Sequence, residues 1–111
     1  VVALTNSDSD RLVSAEDAGK LFTVDRTASM SFTLQPDSTL DLELGTTICI
    51  ATMGTGLAGL VDIERGAGVT LNLLATGAAD NDDRVLAQGG VCTVQKVAAN
   101  TWIIYGSEAL T

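Results

Sequence analysis

The chain has no histidine among its 111 residues, and only one proline, two cysteines, one tryptophan, one tyrosine and two phenylalanines. Without histidine, the commonest general base and the commonest metal ligand are both missing. Basic residues are scarce: six Lys and Arg stand against fourteen Asp and Glu, for a formal net charge of −8. That balance argues against a nucleic-acid partner, because affinity for a phosphate backbone comes mainly from Lys and Arg displacing counterions. Two cysteines do not make a disulfide scaffold. No apolar run approaches the roughly 20 residues of a membrane-spanning helix, so no membrane partner is expected. The apolar start, Val1-Val2-Ala3-Leu4, turns polar at Thr5 and lacks the basic n-region of a signal peptide. The first residue is valine, so the chain is processed or a fragment, and synthesis in a reducing cytoplasm fits its cysteine usage.

What remains is apolar and acidic at once. Hydrophobic residues make up 46% of the chain and mean hydropathy is +0.31, too apolar for a disordered polymer. The length fits a single domain. Helical signals are weak; the best is Ser14–Gly19, where Ser14 caps a single turn that Gly19 ends. Period-two runs follow in quick succession. In Met30–Gln35, Met30, Phe32 and Leu34 share one face. Leu40–Leu44 alternates likewise and is predicted as a strand, and Thr46–Met53 sets Ile48 and Ile50 against Thr47, Cys49 and Ala51. Leu60–Glu64 and Val69–Leu73 are predicted strands joined as a hairpin through Arg65-Gly66-Ala67-Gly68. Arg84–Ala87, Gly90–Val97 and Thr101–Tyr105 complete the set, with a turn at Ala98-Ala99-Asn100. The pattern predicts an all-β domain: a single antiparallel sandwich or jelly-roll-like barrel of about eight short strands. Residues 1–13 are read as an N-terminal arm and 14–111 as the β domain.

Several strands are apolar or neutral on both faces, with Thr, Ala, Ser and Cys where a solvated face would carry Lys or Glu. A two-layer sandwich needs one apolar face per sheet, so the second points to burial against another copy of the chain.

Chemistry-bearing motifs fare poorly against simpler readings. Gly54-Thr55-Gly56-Leu57-Ala58-Gly59 matches Gly-x-Gly-x-x-Gly, but a strand-like segment follows where the phosphate would need a helix. It reads as a glycine-rich turn. Asp80-Asn81-Asp82-Asp83 starts like a Ca²⁺ loop yet lacks that loop's glycine and closing glutamate, and reads as a solvated acidic loop. Serine and threonine abound with no histidine to activate them, so no catalytic residue, cofactor site or metal site is assigned and no enzyme is expected. Trp102 reads as a core plug. Cys49 and Cys92 read as small thiols packing as hydrophobes; whether they bridge is left open, since that depends on geometry.

Several pieces in order resemble a family of small β domains in tailed-phage virion proteins, found in capsid-decorating proteins and tail fibres. They are Glu16–Asp25, Leu34-Gln35-Pro36, Leu44-Gly45-Thr46-Thr47-Ile48, the glycines Gly54 and Gly56, Gly66–Leu71, Val94–Val97 and the ending Asn100-Thr101-Trp102-Ile103-Ile104-Tyr105-Gly106. Gln35 stands inside an expected Leu-Pro pair, and Ser107-Glu108 replaces the usual Asp-Leu. The resemblance implies a virion component, commonly trimeric, with no catalytic residue to carry over.

The expected function is a capsid decoration (cement) protein: a homotrimer on the outer capsid, made in the host cytoplasm, partnered by itself and the major capsid protein. Val1, Val2 and Leu4 are the expected capsid or neighbour contacts; a terminal strand in the domain's own sheet is the equal alternative for that segment. The rival function is a receptor-binding or structural domain of a tail fibre. The absence of a shaft before Val1 favours decoration.

Overall fold

The computed structural model describes residues 1–53, 60–74 and 80–111. Its strands are β1 (Val2–Leu4), β2 (Arg11–Leu12), β3 (Leu21–Val24), β4 (Met30–Leu34), β5 (Thr47–Thr52), β6 (Val61–Arg65), β7 (Thr70–Leu73), β8 (Arg84–Leu86), β9 (Val91–Ala98) and β10 (Thr101–Gly106). The all-β expectation holds. A single 3-10 turn, Ala15–Asp17, stands where Ser14–Gly19 predicts one, and Gly19 leaves it at φ +75°.

Two mixed sheets face each other. One has six strands in the order β1-β3-β5-β9-β10-β7, the other four in the order β2-β4-β6-β8. From β1 to β6 the chain changes sheet at every strand, so it travels in the same direction each time it returns. Hence β1, β3 and β5 pair in parallel, as do β2, β4 and β6. The result is three stacked two-strand turns. The β9–β10 hairpin then lies antiparallel to β5, β10 pairs in parallel with β7, and β8 closes the small sheet antiparallel to β6.

This corrects the antiparallel sandwich or jelly roll. Period-two patterning sets which face a residue occupies but says nothing of strand direction, and a short glycine-bearing link does not show whether it stays in one sheet. Arg65–Gly68 is the clearest case. Gly68 has a positive φ, +80°, as glycines in tight turns do, but the link carries the chain across the core from β6 to β7, which lie in different sheets.

Leu40–Leu44 is also corrected: it forms no strand. Pro36 starts a turn whose carbonyl accepts from Thr39 and Leu40. The alternation instead drops Leu40 and Leu42 onto the core while Asp41 points at Lys96.

The core lies between the sheets. Phe22 and Phe32 meet across it edge to face, with centroids 5.4 Å apart, an arrangement aromatic quadrupoles favour. Trp102 is buried, as its reading as a core plug requires. Near the β1 and β2 edges, Arg11 stacks 4.8 Å over the Phe22 ring and donates through two nitrogens to the buried Asp17 carboxylate, at 2.7 and 3.2 Å. Asp17 also accepts from the Ser14 amide, so the 3-10 turn fixes the group that covers the core there.

Candidate functional site: an uncharged sheet face

The outward side of the six-stranded sheet is built by three cross-strand rows. They run Ala3–Thr23–Ala51–Val91, Leu21–Cys49–Thr93–Tyr105 and Thr47–Gln95–Ile103–Asn72. None of these side chains is charged. Across all six strands the one charged residue is Lys96, and it points inward. Most of these residues are half-buried by their neighbours; Ala3, Val91 and Tyr105 are exposed, as is Val97 beyond the rows. The Tyr105 hydroxyl lies 3.4 Å from Gln95 Oε1.

The opposite face of the molecule differs. There β6 turns Asp62 and Glu64 outward beside Ser31 and Thr33. The remaining charges lie in the links between strands or at their ends. A chain of net charge −8 therefore keeps one broad surface free of formal charge. Repulsion between acidic copies is weakest at such a surface, and its removal from water leaves no ion unpaired.

Residues 1–13, the expected arm, contribute β1 and β2 to the two sheets. Of the expected contacts, Leu4 is buried in the core, Val2 packs against it half-buried, and Val1 is 89% exposed. The three do not form one exposed patch. Ala3, between them, is the residue that joins the uncharged face.

Asp80–Asp83 has a definite task that its reading as a solvated loop missed. Asn81 Oδ1 and Asp80 Oδ1 accept the amides of Leu71 and Leu73, and the Asn81 amide donates to Asn72 Oδ1. Side chains thus satisfy amides on the outer edge of β7, which has no strand beside it among the described residues. Arg84 holds Asp80 at 2.6 Å, and Arg65 donates to Asp83 Oδ1 and the Asn81 carbonyl. The Asp80 carboxyl is held below its ordinary value, first by the Leu73 amide and then, against some desolvation, by Arg84. Periodicity gave no signal for this, although two arginines near an acidic run with an Asn are compatible with it.

The shallow cleft lined by Arg65, Gly66, Ala67, Gly68, Asn81 and Asp83 is polar, and Arg65, Asn81 and Asp83 are already engaged with one another. Among the described residues no group of three or more Cys, Asp or Glu could hold a metal ion. The Gly54–Gly59 turn and Ala75–Ala79 of the acidic loop lie outside the described residues. No described helix is long and apolar enough to cross a membrane. Comparison with protein-family models, with curated proteins and with solved structures finds no match.

Proposed function

We propose that the chain is a structural protein of a tailed-phage virion, a decoration protein that binds the outer capsid as a homotrimer and stabilises the shell. The observation that carries this reading is the separation of charge: an uncharged sheet face on an otherwise acidic molecule. One surface suits burial against copies of itself, and the rest suits solvent and repels packaged nucleic acid. The ordered motifs from Glu16 onward that resemble phage virion domains support the same reading.

The work done is binding without chemistry. A protein that binds the assembled shell and not its free subunits stabilises the shell by mass action, by about 2.7 kcal/mol per site at a free concentration one hundred times Kd. Repetition over a lattice adds avidity.

A tail-fibre domain is the second reading, favoured by the three stacked parallel turns of β1–β6, since stacks of this kind extend along an axis by adding turns. One experiment separates the two. The purified chain is added to capsids that lack it and, in parallel, to host cells. Saturable binding in multiples of three, with raised resistance of the capsid to heat, supports decoration. Adsorption to cells without capsid binding overturns it in favour of the fibre.

A further inference from the structure

We infer that the outward face of the six-stranded sheet is the contact between copies of this chain, with Cys49, Thr93 and Gln95 closest to the symmetry axis. The inference rests on the homotrimer reading and adds which surface forms it. The occupant is a second copy, on three grounds.

The first is charge. Copies of net charge −8 repel wherever carboxylates face each other, and the small sheet presents Asp62 and Glu64. The large sheet's outward rows present none.

The second is area. Six strands at a spacing of about 4.8 Å make a surface roughly 24 Å wide between its outer strands, and the molecule measures 36 × 29 × 22 Å. With side-chain relief, such a face approaches roughly 800 Å² in all, what one protein gives to a standard specific interface, here divided between its two neighbours about the axis.

The third is fit around an axis. Three sheets about 24 Å wide, set as a triangular prism, stand about 7 Å from the axis, and side chains on packed sheets reach about 5 Å each. The middle of the sheet, β5 beside β9, comes nearest, and its paired outward residues are Thr47, Cys49, Ala51, Val91, Thr93 and Gln95. These are short or unbranched uncharged groups that fill a narrow centre. The larger Tyr105 and Leu21 lie toward the corners, where neighbouring sheets diverge from the axis and meet each other.

The test compares the full wild-type chain with Thr93→Glu and Thr33→Glu in sedimentation velocity over a concentration series. Both threonines face outward from strands, Thr93 on the large sheet and Thr33 on the small one, so the variants carry equal charge. Gln95→Glu, nearly isosteric, guards against misfolding of the Thr93 variant. The expected result is a three-chain mass for wild type and Thr33→Glu, with association of Thr93→Glu and Gln95→Glu weakened roughly tenfold or more. A wild-type trimer that both face variants leave intact overturns this interface while the homotrimer stands. A wild type that stays monomeric at its highest soluble concentration overturns interface and trimer together, and capsid binding is then judged by the add-back assay alone.

Discussion

Cys49 and Cys92 lie on adjacent strands, one residue out of register and on opposite faces of the same sheet. Cys49 pairs with Thr93 and looks outward; Cys92 pairs with Ile50 and is 1% exposed. Both thiols are free, and side chains on opposite faces cannot close a disulfide without moving the backbone.

Burial, with a smaller contribution from Cys49, pushes the Cys92 thiol up to about 12. Thiolate is the reactive form. Native protein, diluted until it is unassociated, is therefore expected to give one readily titrated thiol with Ellman's reagent and the second only on unfolding. Oxidation is expected to form no intramolecular bridge and to leave Tm unchanged. Loss of both thiols in a monomer without any adduct would contradict the placement.

Lys96 ties the 37–45 segment to the sheet. Its Nζ lies 2.7 Å from Asp37 Oδ1 and donates to Asp41 Oδ1 at 3.0 Å and to the Leu42 carbonyl at 2.7 Å. Lys96→Met keeps the stem and removes the donor, with an expected loss on the order of 1–2 kcal/mol in denaturant unfolding, at the modest end because Asp41 is open to water. The pair also sets a pH response. Lys96 holds the Asp37 carboxyl below its ordinary value, and the Asn100 amide helps against some desolvation. A carboxyl lowered on folding contributes stability above its unfolded pKa of about 4. That contribution is lost as pH falls through the lower folded value. Burial pulls the Lys96 ammonium down, but Asp37 and Asp41 more than restore it. Its contribution is present below about pH 10 and is lost as pH rises through the raised value. Wild-type stability should fall at both extremes, and Lys96→Met should flatten both limbs.

Asn81 caps one amide on the outer edge of β7. Asn81→Ala leaves the Leu71 amide without its acceptor, and exposed strand edges template association. The expected outcome is faster hydrogen exchange at Leu71, by roughly tenfold or more if the edge now opens locally, with β9 and β10 unchanged. Unaltered exchange at Leu71 would show that the cap contributes nothing.

Strand positions and buried faces were legible because alternation follows directly from strand geometry. Met30, Phe32 and Leu34 are buried as their spacing requires, and Ile48 and Ile50 likewise. Direction was not legible. Arg65–Gly68 would serve either a hairpin or a crossing between layers, and the partner of each strand depends on contacts distant in sequence. Leu40–Leu44 shows the limit from the other side, since its alternation serves a loop packed over Lys96. The uncharged face was legible as a surplus of neutral residues on single strands. Only strand order collects them on one surface.

Cys49 sits in the middle of that surface and reports directly on whether it is covered. The decisive measurement is its rate of alkylation, at fixed excess reagent, across a dilution series of wild-type chain. The expected result is fast labelling when dilute and progressively slower labelling through the range where sedimentation shows association, with Cys92 silent throughout. A Cys49 rate that stays constant while the chain assembles would show that copies meet elsewhere and would contradict the assignment of this face.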